Sequence, residues 1–243
     1  MACALGVSIR AFPMLPSPAG ALPLFRFRGI AVSVHWTWFL VALYEVQTRQ
    51  GLYRSPIWNA YEYLALFGIV LLHEFGHSLA CRQTGGQADT IVLWPLGGVA
   101  FVSPPQRPGA QLWSIAAGPL VNAVLWPVLA GLSYLASRHW AQSAPDTVEL
   151  IRQVARINLG LLIFNLLPIY PLDGGQILRS LLWFPLGRAR SLLVATALGF
   201  VGVVGMAWLA LHWESLWFGL LAYFAGVQCW NGFRHARALA QLE

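Results

Sequence analysis

The chain has 243 residues, 58% of them hydrophobic and 10% charged, with a mean hydropathy of +0.61 and a formal net charge of +6. A soluble domain ordinarily carries about 25% charged residues, so the composition excludes one and indicates a multi-span membrane protein in contact with a lipid bilayer. All 15 basic residues are arginine, scattered without a basic stripe or recognition motif, which excludes nucleic acid as a partner and suits the flanks of membrane spans.

Residues 1–29 are expected to form a partly disordered tail that ends in a short strand. Arg10 and the prolines at 13, 16, 18 and 23 interrupt any secretory signal core. Alternation of Phe25 and Phe27 with Arg26 and Arg28 suggests the strand. A spanning helix needs about 20 apolar residues, and six segments qualify or come close. The first is short, Ile30–Val46, and the second runs Ile57–Arg82. Between the second and third, two β-favouring runs, Thr90–Trp94 and Val99–Val102, flank PLGG and predict a hairpin. Open sheet edges are not tolerated against lipid, so this hairpin must lie at the surface or line a cavity. The third span is Gly109–Ala136. The fourth begins near Val154, breaks at Pro168 and Pro171, and resumes after Gly175. The fifth is Ser191–Leu211 and the sixth Ser215–Phe233.

The expected fold is therefore all-α and polytopic, with about six transmembrane helices and one small hairpin. A single membrane domain covers residues 30–238, and residues 239–243 form a C-terminal tail. Six spans put both termini on one side. Ten arginines, including Arg26, Arg28, Arg82, Arg179 and Arg188, fall on that side and five on the other. The positive-inside rule then makes both termini cytoplasmic, in an inner or plasma membrane.

The end of the second span reads LLHEFGHSLACRQ. A charged side chain inside a membrane segment costs roughly 2.5–3.5 kcal/mol on insertion scales and marks function. His73 and His77 are four apart, so on a helix they share a face, about 6 Å apart along the axis. Both imidazoles can bind one tetrahedral zinc, and Glu74 then stands beside the metal to take a proton from the water it activates. The bland alternative is two histidines bonded to their neighbours, with Glu74 paired to an arginine.

A catalytic zinc usually keeps three protein ligands and an open position. The residue six after His77 is Gln83, so the third ligand comes from elsewhere. Asp173, in NLLPIYPLDGGQ, lies at a similar depth in a broken helix, where Pro168 and Pro171 stop the helix and Gly174-Gly175 free the backbone. Its alternative role is to cap the helix that follows. Asp89, in the hairpin, is next in line. Cys81 is about 12 Å from His73 along the axis and reads as a packing residue. His35 reads as interfacial. The three cysteines, Cys3, Cys81 and Cys229, lie too far apart for a zinc ribbon or a disulfide framework. Asn122 suits an interhelical hydrogen bond. Asn165 suits either that or contact with the substrate backbone or a developing oxyanion.

HEFGHSLA, IVLWPLGGVA, GPLVN and NLLPIYPLDGG, with GIAVSVHW before the first span, resemble the site-2 protease family of intramembrane zinc metalloproteases over most of the chain. The resemblance implies a six-helix membrane fold with a three-helix catalytic core. It implies one zinc per chain held by His73, His77 and Asp173, with Glu74 as acid and base. It also implies cleavage of a single-span membrane protein near the cytoplasmic face. Some members carry PDZ or CBS domains, and none is visible in this sequence. The alternative function is a zinc-binding transporter or scaffold. A transporter would more often show paired inverted repeats, and a structural zinc would be closed by four ligands.

Overall fold

The computed structural model describes residues 20–48, 51–94 and 97–241. The expected tail over residues 1–19 lies outside the described residues, as do 242–243. The element order is β1 (Ala21–Phe27), β2 (Ile30–His35), α1 (Trp38–Thr48), α2 (Ile57–Gln83), β3 (Gln87–Trp94), β4 (Gly97–Ser103), α3 (Pro108–His139), α4 (Pro145–Leu166), α5 (Asp173–His212) and α6 (Leu216–Ala240). The protein is mostly helical with one small sheet. Among the described residues, three helices, α2, α3 and α5, are long and apolar enough to cross a membrane.

The expected hairpin is present as β3 and β4, but it is half of a four-stranded sheet in the order β1-β2-β3-β4. β1 and β2 form a second antiparallel hairpin, turned through Arg28 (φ 47°) and Gly29 (φ 80°). Two successive positive φ values match the twist of paired strands, and glycine accepts one of them without steric cost. β2 then pairs in parallel with β3, Ala31 opposite Thr90 and Val34 opposite Leu93. This corrects the first expected span: Ile30–His35 is a strand, and only the 11 residues of α1 are helical. A helix of that length reaches ~16 Å, about half a bilayer core. The apolar run misleads because alternate residues Ile30, Val32 and Val34 are buried against the rest of the fold.

A parallel pairing of β2 with β3 requires the chain to leave one end of the sheet and cross back to the other before re-entering it. α1 leaves and α2 returns. Ile30, Val34, Ile91 and Leu93 of the sheet pack with Trp38 of α1 and Val70 of α2, and Phe75 and Leu79 adjoin the same cluster. Tyr63 of α2 donates to the Trp38 carbonyl at 3.0 Å. β2 and α1 thus run together along α2.

α4 stops at Leu166, and residues 167–172, with Pro168 and Pro171, separate it from α5. α5 itself is two helical pieces joined at Gly187 (φ 79°, ψ 176°). The expected fourth span corresponds to α4, the break and the first piece of α5. The expected fifth span corresponds to the second piece. The break is seated in notches of α5 and α6. A Cβ at Gly199 would stand 2.9 Å from the Tyr170 carbonyl oxygen, and one at Gly232 would stand 2.9 Å from the Tyr170 ring. Cys229 of α6 donates its thiol to the same Tyr170 carbonyl at 2.9 Å.

Candidate metal centre

His73 and His77 project from one face of α2 toward α3. The two helices meet backbone to backbone: a Cβ on Gly76 would lie 2.6 Å from the Ala117 carbonyl oxygen. Gly118 is next. A Cβ there would overlap the His77 ring and stand 2.8 Å from His73 Nε2, so the absence of a side chain is what leaves room for both imidazoles.

Each ring is fixed by its Nδ1. His77 Nδ1 lies 2.9 Å from the Ser114 backbone carbonyl oxygen. That oxygen only accepts, so Nδ1 carries the proton and Nε2 of the neutral ring bears a lone pair. His73 Nδ1 lies 2.6 Å from Asn122 Oδ1. Both Nε2 atoms turn inward, 3.0 Å from each other. Asp173, at the first position of α5, brings Oδ2 to 3.0 Å from His73 Nε2 and 3.5 Å from His77 Nε2.

With both rings neutral and protonated at Nδ1, two imidazole lone pairs and a carboxylate oxygen converge on one point. Such a cluster repels itself unless a cation sits among the three. Atoms bound at 2.0–2.2 Å to a tetrahedral zinc lie roughly 3.3–3.5 Å apart, close to the spacings found. The residues fit zinc on that ground, and the neutral-imidazole and carboxylate donor set is one zinc prefers. His73, Glu74 and His77 also form a group whose ligand atoms lie within 4.8 Å of one another. Asp173 Oδ2, at 3.0 and 3.5 Å from the two Nε2 atoms, is a further candidate donor.

The sequence-predicted residues thus separate into two groups. His73, Glu74, His77, Asn165 and Asp173 line one cavity of about 1400 Å³, which Val102 of β4 also borders. The others lie elsewhere. Asp89 is exposed and pairs with Arg82 at 3.2 Å. Cys81 is fully buried, with its thiol toward the Gln87 carbonyl. His35 bonds the Thr37 hydroxyl at 2.7 Å. Asn122 makes the expected interhelical bond, to Asn158 of α4 at 2.8 Å, and adds the one to His73. Sequence reasoning passed over Asn158, although a lone amide on an apolar helix was the signal that drew attention to Asn122 and Asn165. It also missed Ser114, whose contribution is a backbone carbonyl and leaves no trace in the side-chain pattern.

The chain matches the model of peptidase family M50 over residues 61–153 and 129–209. It is 32% identical over 179 residues to a zinc metalloprotease of Methanocaldococcus jannaschii, which covers 74% of this chain and 50% of that one. Stage IV sporulation protein FB of Bacillus subtilis is 34% identical over 146 residues, or 58% of this chain and 48% of its own length. The chain spans about half the length of these relatives. Among solved structures, the site-2 protease from Methanocaldococcus jannaschii superposes with a TM-score of 0.64 at 29% identity, covering 88% of this chain and 95% of that chain.

Proposed function

Because the chain belongs to peptidase family M50, we propose that it is an intramembrane zinc metalloendopeptidase that cuts a membrane protein in or near a transmembrane segment and releases a cytoplasmic fragment. The observation that supports this most is the meeting of His73 Nε2, His77 Nε2 and Asp173 Oδ2 within 3.5 Å, with both Nδ1 atoms already committed.

In this reading His73, His77 and Asp173 would hold one zinc per chain at the wall of the cavity they line. Bound there, zinc supplies Lewis acidity for water and for a peptide carbonyl. Glu74, buried beside the histidines, takes the proton from the attacking water and passes it to the leaving amine. The cavity that Glu74 lines is largely apolar, with Leu66, Val70, Ile115 and Leu161 in its wall. Asn165 lines the same cavity and donates its amide to the carbonyl oxygen as charge develops there.

A helical substrate must unwind before its carbonyl is reachable. β4 is the end strand of the sheet and pairs only with β3 among the described residues. Its far edge has no strand partner among the described residues and would accept an extended segment by strand addition, and Val102 of this strand borders the cavity. A single-span substrate suits this arrangement, since one unwound segment fills one edge.

The six-pass topology is part of the same proposal. α1, which enters the membrane without reaching across it alone, takes the place of the first pass, and α2 and α3 make the next two. α4 with the first piece of α5 makes the fourth. The second piece of α5 and α6 complete the six, with both termini cytoplasmic. β1 pairs with β2, so the membrane domain is taken to begin at β1.

Glu74→Gln tests the activity. The variant is expected to keep zinc and to lose cleavage of a reconstituted single-span substrate. Undiminished cleavage removes Glu74 from the chemistry, and a wild-type protein that holds zinc yet cleaves nothing favours a scaffold.

A further inference from the structure

We infer that Asn158 is a positioning residue for the metal site: acting through Asn122, it sets the His73 tautomer that leaves Nε2 bare. The inference rests on the reading of His73 as a zinc ligand. Asn122 and Asn158 are both fully buried, on α3 and α4. Three hydrogen bonds link them to the ring, and each fixes the next.

Asn158 Nδ2 lies 2.9 Å from the Asn122 backbone carbonyl oxygen. That oxygen cannot donate, so the Asn158 amide must turn its nitrogen there and its oxygen the other way. Asn158 Oδ1 then lies 2.8 Å from the Asn122 side-chain amide and must accept from its nitrogen. That leaves Asn122 Oδ1 to face His73 Nδ1 at 2.6 Å, and an amide oxygen only accepts. His73 therefore holds its proton at Nδ1. The opposite orientation of Asn122 would present an N–H to Nδ1, move the ring proton to Nε2 and block the atom aimed at Asp173. His77 needs no such device, because a backbone carbonyl fixes it directly. A side-chain amide can flip, and Asn158 is the group that prevents it.

Outer-shell partners of ligating histidines typically govern metal affinity by about 10–100-fold. The test is the zinc dissociation constant of the full-length protein in detergent, measured by chelator competition. Asn158→Leu keeps the branching and heavy-atom count of the side chain, with bulkier methyl ends, and removes both hydrogen bonds. It is expected to weaken zinc by about 10–100-fold while the protein stays folded, judged by its helical circular dichroism and thermal transition. The decisive arm is Asn122→Asp added to Asn158→Leu. A carboxylate accepts through either oxygen, so His73 Nδ1 donates whatever stands at 158, and affinity is expected to return close to the wild-type value.

A packing role for Asn158 would not be rescued this way, because the leucine is still present. Wild-type affinity in Asn158→Leu overturns the inference. Weakened affinity that Asn122→Asp fails to restore in a folded protein also overturns it. Asn158→Ala takes the place of the leucine variant, with the same rescue, if the latter does not fold. His73→Ala is run beside them. If it binds zinc normally, the ligand reading itself has failed. If it loses zinc while Asn158→Leu does not, only the role of Asn158 falls.

Discussion

Gly118→Ala places the smallest side-chain carbon where the two imidazoles meet. Its Cβ would overlap His77 Nε2 and Cε1 and stand 2.8 Å from His73 Nε2. Neither ring can swing aside freely, because Ser114 and Asn122 hold the Nδ1 atoms at 2.9 and 2.6 Å. The backbone offers little relief, since α2 and α3 already touch at Gly76 and Ala117. Forcing an extra methyl into such a site costs typically 1–3 kcal/mol, and here the strain falls on the Nε2 atoms proposed to bind zinc. At about 1.4 kcal/mol per tenfold, zinc binding should weaken by roughly 5–150-fold. Helix propensity works the other way, since alanine is favoured over glycine by about 1 kcal/mol in a helix interior. Gly131, on the same helix with nothing within 4 Å of its would-be Cβ, isolates that term. The assay is zinc affinity by chelator competition together with thermal stability. Gly131→Ala should leave zinc unchanged and stability level or higher. Gly118→Ala should lose zinc affinity by the stated margin. Equal zinc affinity in the two variants would refute the steric reasoning and, with it, the packing of α3 against the histidines.

The break that carries Asp173 can be disturbed from a distance. Gly199→Ala puts a Cβ 2.9 Å from the Tyr170 carbonyl, three residues before Asp173, and should reduce zinc affinity less than Gly118→Ala does; Gly205→Ala, which meets nothing within 4 Å, should not reduce it. A proline at Val102 removes one backbone donor from β4 and should impair cleavage of a membrane substrate while zinc content holds. Unimpaired cleavage would dispose of strand addition at this edge. Glu74→Gln, as above, should separate chemistry from metal retention.

Much of the candidate site was legible in the sequence because polar groups are rare here. In a chain 10% charged, two histidines and a glutamate in an apolar helix stand out, and an aspartate between Pro171 and Gly174 announces a broken helix. The four-residue spacing of His73 and His77 is a property of the helix alone. Their meeting with Asp173 is a long-range event, and the sequence offered only depth and elimination for it. The hairpin of β3 and β4 was signalled by Gly and Pro punctuation. The first hairpin was read only as one strand, because its turn, Arg28-Gly29, lacks the asparagine or aspartate that usually marks such a turn. Ile30–Val46 was misread as a helix because a buried strand followed by a short helix is continuously apolar, and periodicity cannot divide it. The role of Gly118 was not legible, since a glycine in an apolar helix gives no sign of what it approaches. Asn158 was legible in type but not in partner, which depends on how α3 meets α4.

If α2 and the start of α5 build one metal site, removing Asp173 must show in the metal content. Zinc per chain in detergent-purified protein, wild type against Asp173→Ala, tests it most directly. About one zinc is expected in the wild type, as a three-ligand site holds one ion, and loss or marked weakening in the variant. Zinc bound equally well by both would remove Asp173 from the site. No zinc in either, even after reloading, would leave His73, Glu74 and His77 as a buried polar cluster, and the protease reading would fall with them.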